Sequence, residues 1–147
     1  MSEPVVAIEC GHSDDLFSEA WAERLVQAWN HDAALVSALG GIGFTARVAF
    51  GLIDEEAPRC RFFIDRGRLA QADSVDRAPD WDVRATAEQW AEWMAAPPGL
   101  LSLGMAYASG SLQFRHGDYI TMIKNPAMAG PFVKCIELMA RSCRHGQ

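Results

Sequence analysis

The segment FTARVAFGLID, residues 44–54, constrains the fold more than any other part of the chain. Its positions alternate in character, with Phe44, Ala46, Val48 and Phe50 set against Thr45, Arg47 and Ala49. Successive side chains of a strand point to opposite faces of a sheet, so this alternation predicts a strand with one buried face and one wet face. A sheet of such strands needs a covering layer on one side only.

The N-terminal half supplies a helix and further strands. Ser13, followed by two aspartates, is typical of a helix start, and apolar residues then recur every three or four positions to about Asn30. Residues 60–69, CRFFIDRGRL, predict the hairpin partner of the first strand. Residues 71–80 predict a short third strand, and residues 81–86, WDVRAT, predict another.

The C-terminal half is mostly helical. Thr86 and Gln89 form a capping box at the start of a short helix that Pro97-Pro98 ends. The segment GLLSLGMAYA predicts a second short helix, which we expect to be buried because it is apolar almost all round. A strand at 110–118 and a last helix from Pro126 complete the chain.

This order of elements predicts an α+β fold, an antiparallel sheet covered by helices on one side. The length of 147 residues predicts one domain, 1–147, and the composition, half hydrophobic and 22% charged, is typical of a globular protein. No apolar run approaches the roughly 18 residues of a membrane span, and the N-terminus lacks a signal peptide. We therefore expect a soluble, cytoplasmic protein.

The charge is unevenly distributed. The net charge of −6 argues against nucleic acid as a partner. Residues 1–92 carry 8 basic and 17 acidic side chains, whereas residues 93–147 carry 5 basic and 2 acidic ones. The C-terminal third therefore suits an anionic surface or a phosphate-bearing ligand, although a solvated helix face explains the same charges.

The cysteines and histidines do not predict a metal site or a cofactor. The four cysteines have no paired spacing, so we expect free thiols. Cys10 and His12 near one terminus, and Cys143 and His145 near the other, would form a zinc set only if the termini met. Cys-x-His is not a usual zinc motif, and we expect neither metal nor cofactor.

The known catalytic motifs are missing from the sequence. Gly41, Gly43 and Ala46 match a dinucleotide fingerprint with Asp65 at the ribose position. That fingerprint needs a strand before it and a helix after it, whereas here a helical segment precedes and a strand follows. The sequence also contains no nucleophile elbow, no HExxH and no P-loop.

The strand GSLQFRHGD, residues 110–118, poses a choice between an enzyme and a carrier. His116 and Asp118 would be catalytic groups if they lay at the rim of a pocket, whereas Phe114 would be a wall residue facing an apolar ligand. Aromatic and methionine side chains crowd the surrounding third of the chain. Because methionine adapts its shape to its neighbours, this cluster favours a cavity for an apolar ligand.

From Trp81 to Met139 the chain resembles the sterol carrier protein type 2 family of lipid-binding domains. The shared features are an early Asp in a strand (Asp82), a helix capped at Thr86, a proline-bearing break with a small apolar helix, and a Gly-x-Leu-x-Phe strand closing on Gly117-Asp118. The hairpin and the first helix agree in order. The C-terminus departs from a peroxisomal signal, so that setting of some relatives does not carry over.

The resemblance implies a five-stranded antiparallel sheet, helices on one face and an apolar tunnel between them. It implies non-catalytic binding or transfer of a fatty acyl chain, acyl-CoA or sterol-like molecule. The residues that we expect to bind this ligand are apolar: Phe50, Trp90, Trp93, Met94, Leu101, Met105, Phe114, Met128, Phe132, Ile136 and Met139.

Two alternatives remain open from the sequence. The first is a small cone-shaped isomerase or cyclase that uses Asp118, His116 or Tyr119 as base and oxyanion donor. The second is an accessory subunit that presents a hydrophobic substrate to a separate enzyme, which would need the same cavity.

The junction of the last helices predicts a gate. Asn125-Pro126 stops one helical segment, and Gly130-Pro131 places a second break inside the final helix. We expect residues 124–132 to form a mobile gate, with Lys124 and Lys134 contacting an acidic headgroup or an anionic membrane. A rigid, kinked start of a packed helix is the alternative.

Overall fold

The computed structural model describes residues 16–72 and 78–143. The predicted helix start at Ser13, and Cys10, His12 and His145, lie outside these ranges. The elements, in chain order, are α1 (Glu19–His31), α2 (Ala33–Gly41), β1 (Ala46–Leu52), β2 (Cys60–Asp65), β3 (Arg68–Gln71), β4 (Trp81–Ala85), α3 (Ala87–Ala95), α4 (Leu100–Ser109), β5 (Leu112–His116), α5 (Tyr119–Lys124) and α6 (Pro126–Cys143).

The five strands form one mixed sheet in the order β3-β2-β1-β4-β5. The predicted α+β class is confirmed, but the prediction of an antiparallel sheet is wrong for one pair, because β1 and β4 run parallel. β1, β2 and β3 form a meander, and the chain then returns to the end of the sheet at which β1 begins. There Asp80 anchors the start of β4: its N–H donates to the Arg47 carbonyl at 2.8 Å, and its carboxylate accepts the Arg47 N–H at 2.9 Å.

The second hairpin explains the difference between the predicted and observed strands. The segment predicted as one strand, 60–69, is split by a turn at Arg66 and Gly67, which have φ angles of +47° and +90°. The third strand is therefore Arg68–Gln71, earlier than predicted. A β-carbon on Gly67 would lie 2.6 Å from the Val36 carbonyl oxygen, so the close approach of α2 also requires glycine here.

The helices cover one face of the sheet, and buried tryptophans fix them there. The Trp29 indole N–H of α1 donates to the Gly67 carbonyl at 2.8 Å, and that of Trp90 in α3 donates to the Gly51 carbonyl at 2.9 Å. Each indole thus buries a large apolar surface while its polar N–H is satisfied by the sheet backbone. Thr86 caps α3 by accepting the Gln89 N–H at 3.0 Å, as the capping box predicts.

The opposite face of the sheet holds a buried ion pair. Asp82 and Arg84 on β4 are only 4% and 1% exposed. Arg84 Nε donates to Asp82 Oδ1 at 2.6 Å and Nη2 donates to Oδ2 at 3.1 Å, a bidentate pair. Arg84 Nη1 also donates to the Leu52 and Glu55 carbonyls at 2.9 and 2.8 Å, so the pair holds the β1–β2 loop against the sheet.

Helix α4 departs from its predicted environment. The prediction that it is buried is wrong, because Leu100, Leu101 and Met105 are 50%, 79% and 64% exposed. Its buried residues are Leu103 and Ala106. An apolar helix of this kind contacts the fold on one side and presents the rest of its side chains to solvent.

The cysteines are not all free thiols. Cys60 and Cys135 are free, but Cys143 is disulfide-bonded, which corrects the prediction for that residue. Within residues 16–72 and 78–143, no helix is long and apolar enough to cross a membrane.

Candidate functional site

An apolar cavity of about 70 Å³ lies between the sheet and the helices. Its walls come from all five strands or their flanks and from four helices. The lining residues are Leu25, Trp29, Leu39, Phe44, Val48, Phe50, Phe62, Ile64, Leu69, Trp81, Val83, Phe114, Met122, Met128, Pro131, Phe132 and Cys135. The structure shows a cavity of limited size and not the tunnel that the resemblance implies.

The sheet wall follows from strand alternation and register. Val48 pairs with Phe62 across the antiparallel β1–β2 ladder and with Trp81 across the parallel β1–β4 ladder. Val83 pairs with Phe50 on one side and with Phe114 on the other. Paired residues share a face, so the apolar positions of four strands form one continuous wall.

The helix wall follows from the spacing of α6. Met128, Phe132 and Cys135 recur at intervals of four and three residues, which places them on one side of the helix. Pro131, inside the helix, lies on the same side. Met122 of α5 extends this wall.

The cavity reaches the surface where the two walls separate. Phe44, Val48, Trp81 and Phe114 are partly exposed on the sheet side, and Met128, Pro131 and Phe132 are partly exposed on the helix side. These seven lining residues are called the rim below. Residues 124–132, the predicted gate, therefore include the helix side of the rim.

The described residues that line the cavity are apolar. Among the described residues that line it, none carries a charge. Burial raises the pKa of the Cys135 thiol to about 12, so the thiol is neutral and is a poor nucleophile. The cavity can therefore bind a ligand by dispersion and apolar burial, with no charged group in position for chemistry.

The eleven residues predicted to bind a ligand fall into three groups. Four line the cavity: Phe50, Phe114, Met128 and Phe132. Five are buried in the core without lining it: Trp90, Trp93, Met94, Ile136 and Met139. Leu101 and Met105 lie on the surface of α4. Trp90 supports a wall of the cavity, since its ring contacts Phe50 at a ring-centroid distance of 6.3 Å.

The sequence interpretation missed much of the lining from the N-terminal half. Leu25, Trp29 and Leu39 come from the first helices, and Phe62 and Ile64 come from β2. The alternation of β1 and β2 contained the signal, because Val48 and Phe62 belong to the buried face that it predicts. The methionine-rich C-terminal cluster drew the prediction away from these strands.

Asp118 and His116, two of the groups that the enzyme alternative would use, do not line the cavity. Asp118 caps α5: its carboxylate accepts the Ile120 N–H at 3.0 Å and the Thr121 hydroxyl at 2.7 Å. These bonds, the one from the Thr121 hydroxyl first, lower the pKa of Asp118. His116 is exposed.

Tyr119, the third of these groups, is buried outside the cavity. It stacks on Tyr107 at a ring-centroid distance of 4.3 Å, and burial raises its pKa. Asp118, His116 and Tyr119 therefore do not converge on the cavity. No group of three His, Cys, Asp or Glu side chains within the described ranges could hold a metal ion.

Lys124 and Lys134, which we expected to contact a headgroup or a membrane, lie in different environments. Lys134 Nζ lies 3.3 Å from Asp32 Oδ2 and 3.1 Å from Glu137 Oε1, so it joins α6 to the start of α2. Lys124, at the end of α5, is exposed. Lys134 thus has an internal structural role, whereas Lys124 faces solvent.

Two solved structures have a fold similar to that of this chain. A conserved hypothetical protein of Thermus thermophilus, described as possibly a sterol carrier protein, superposes with a TM-score of 0.59 at 19% identity, covering 88% of this chain and 87% of its own. Sterol carrier protein 2 superposes with a TM-score of 0.56 at 19% identity, covering 88% of this chain and 98% of its own. No family model and no curated protein matches the sequence. The predicted resemblance is confirmed for the fold.

Proposed function

We propose that the protein binds a hydrophobic small molecule, such as a fatty acyl chain, an acyl-CoA or a sterol-like ligand, in the apolar cavity and carries it without bond-making chemistry. The observation that carries this proposal is the cavity itself, which is lined by apolar side chains and bordered by a partly exposed rim. The shared fold with sterol carrier protein 2 supports the same ligand class.

The size of the cavity sets a requirement on binding. Pockets for drug-sized ligands measure roughly 300–1,000 Å³, whereas this cavity measures about 70 Å³. A long acyl chain therefore needs the walls to move apart. Met128 and Phe132 are suited to this, because both are partly exposed and methionine changes rotamer at little cost.

Residues 124–132 form the gate in this proposal. The segment spans the end of α5, Asn125 as its C-cap, and the first turns of α6 up to Phe132. Pro131 has no N–H to donate to the helix ladder, so the first turns of α6 are held by fewer backbone bonds than the rest. Opening at this point would widen the cavity without breaking the sheet.

Binding of a series of saturated fatty acids tests the proposed function. Each methylene buried contributes about 0.8 kcal/mol, so the dissociation constant should fall about fourfold per added methylene until the opened cavity is filled, and should then level off. Tryptophan fluorescence reports binding, because Trp29 and Trp81 both line the cavity, and native mass spectrometry gives the stoichiometry. Trp81→Phe serves as the control that identifies the reporting residue.

The series also has a result that would exclude the proposal. If fatty acids, acyl-CoA and sterols all fail to bind at any chain length, the cavity is a packing defect of the core. A dissociation constant that does not vary with chain length would place the ligand outside the cavity.

A further inference from the structure

Two tryptophans, Trp29 and Trp81, line the cavity, and their indole N–H groups have different environments. The Trp29 N–H donates to the Gly67 carbonyl at 2.8 Å, whereas the Trp81 N–H donates to no atom of residues 16–72 and 78–143. The other described lining side chains carry no nitrogen or oxygen atom. The Trp81 N–H is therefore the one strong hydrogen-bond donor that the described lining side chains leave available to a ligand.

The neighbours of Trp81 hold its ring in place at the edge away from the N–H. Gly117 lies against the six-membered ring, because a β-carbon on Gly117 would lie 2.3 Å from Cε3 and 2.8 Å from Cζ3. Phe114 meets the indole in a T-shaped contact with 6.0 Å between ring centroids. Nε1 belongs to the opposite edge of the indole from Cε3, so the contact with Gly117 does not cover the N–H.

The Trp81 N–H is also accessible from the rim. Trp81 is partly exposed, and its Nε1 is not among the described side-chain atoms that are buried without a partner. A ligand oxygen that accepts this N–H replaces a bond to water. The net gain from such an exchange is about two- to tenfold in affinity, which is enough to discriminate between lipids of equal apolar size.

A single neutral donor suits an uncharged oxygen. A carbonyl, ester or hydroxyl oxygen that leaves water is satisfied by one N–H. An ionised carboxylate or phosphate needs a cation or several donors before it can leave water. None of the described lining residues carries a charge, so the lining favours a lipid whose oxygen is uncharged.

We propose that Trp81 is a specificity-determining residue, whose indole N–H donates to an uncharged carbonyl, ester or hydroxyl oxygen of a lipid while the hydrocarbon part of that lipid fills the cavity. This inference rests on the proposed function and narrows its ligand class. The charged headgroup of an ionised lipid remains in water and does not use the Trp81 N–H.

A cycle of two proteins and two ligands tests this role. The proteins are the parent and Trp81→Phe, which keeps an aromatic ring but lacks the N–H. The ligands are a straight-chain methyl ketone and the straight-chain alkane with the same number of heavy atoms, and displacement of a fluorescent lipid probe measures each affinity. Trp81→Phe should weaken binding of the ketone about two- to tenfold more than binding of the alkane.

The matched control is Phe44→Leu, which shortens a rim side chain that has no hydrogen-bonding group. It should weaken binding of the ketone and of the alkane by the same factor. The ionised fatty acid of the same length is the third ligand, and Trp81→Phe should change its affinity by the same factor as that of the alkane. If the fatty acid shows the larger loss, the rim binds an anion and the proposed ligand class is wrong.

Proton–nitrogen correlation spectra give a second measurement on the parent protein. The indole N–H signal of Trp81 should shift downfield with the ketone and not with the alkane. The signal of Trp29 should respond equally to both ligands, because its N–H is bonded to the Gly67 carbonyl.

The outcomes separate this inference from the proposed function. An equal response of the Trp81 signal to both ligands, or an equal loss of affinity for both in Trp81→Phe, refutes the role of Trp81 and leaves the proposed function intact. If neither ligand binds the parent, the proposed function fails together with this inference.

Discussion

Replacing Cys135 with leucine places an isopropyl group in the cavity where a neutral thiol now lies. Cys135 is buried on α6, and no hydrogen bond contributes to its raised pKa, so the substitution breaks no polar contact there. An unfilled core cavity costs roughly 24 cal/mol per Å³, so the cavity of about 70 Å³ costs about 1.7 kcal/mol. We expect Cys135→Leu to raise the free energy of unfolding by up to about that amount.

The same substitution should weaken ligand binding. If the isopropyl group excludes two methylenes of an acyl chain, about 1.6 kcal/mol is lost and the dissociation constant rises about fifteenfold. Urea denaturation followed by circular dichroism measures the stability, and fatty-acid titration measures the affinity. Ala91→Leu, which adds a side chain on the exposed side of α3 away from the gate, is the control and should change neither. A less stable variant with unchanged affinity would refute the reasoning, because it would mean that the cavity has no free space at this position.

Three further predictions concern the residues that support the site. Gly117→Ala should destabilise the fold by about 2–4 kcal/mol in urea denaturation, because Gly117 has a φ of +89° and a β-carbon would lie 2.3 Å from the Trp81 ring. The control is Gly130→Ala, which should be neutral or stabilising because a β-carbon there meets open space. Asp82→Ala should cost about 3–5 kcal/mol by leaving Arg84 buried without its carboxylate. The added change Arg84→Met should recover only part of that loss, because it also removes the bonds from Arg84 to the Leu52 and Glu55 carbonyls. The pKa of Asp32 is lowered from 3.8, first by the hydrogen bond from the Leu35 N–H and further by Lys134. The ionised Asp32 therefore stabilises the fold fully above pH 3.8, and this stabilisation is lost as the pH falls through the lowered pKa of the folded state. Asp32→Asn should remove that part of the acid unfolding profile, and an unchanged profile would contradict this assignment.

The local signals in the sequence predicted much of the fold. The alternation of residues 44–54 identified β1 and its buried face, and the capping box at Thr86 located the start of α3. Both depend on interactions within a few residues. The prediction that the other face of β1 is wet is wrong, because Ala49 and Gly51 on that face are buried. The parallel pairing of β1 with β4 was not predicted, because the partner and direction of a strand depend on contacts distant in sequence and no local pattern encodes them.

The environment of α4 could not be read from its hydrophobicity. A helix that is apolar all round is normally buried, and this general expectation placed Leu101 and Met105 in the ligand site. Which side of α4 contacts the fold is set by Leu103 and Ala106 and by the position of β5, beside which α4 packs. The exposed side is visible only in the structure.

The predicted ligand-binding residues that line the cavity lie on β1 (Phe50), on the strand of the resemblance (Phe114) and on the final helix (Met128 and Phe132). Trp90 of α3 was predicted from the aromatic and methionine cluster around that strand, but its indole N–H donates to the Gly51 carbonyl, and its ring packs in the core. A large aromatic residue near a cavity supports a wall as often as it lines one, and only the packing distinguishes the two roles.

Paramagnetic broadening by a spin-labelled fatty acid tests the central claim most directly, because it locates the ligand in the protein. With the label near the end of the acyl chain, amide signals of Val48, Phe114 and Phe132 should broaden at saturation, and unlabelled fatty acid should restore them by competition. Signals of Leu101 and Met105, which lie on the surface of α4 and do not line the cavity, should persist. Broadening confined to α4, or no broadening at any residue around the cavity, would contradict the claim that the cavity binds a lipid chain.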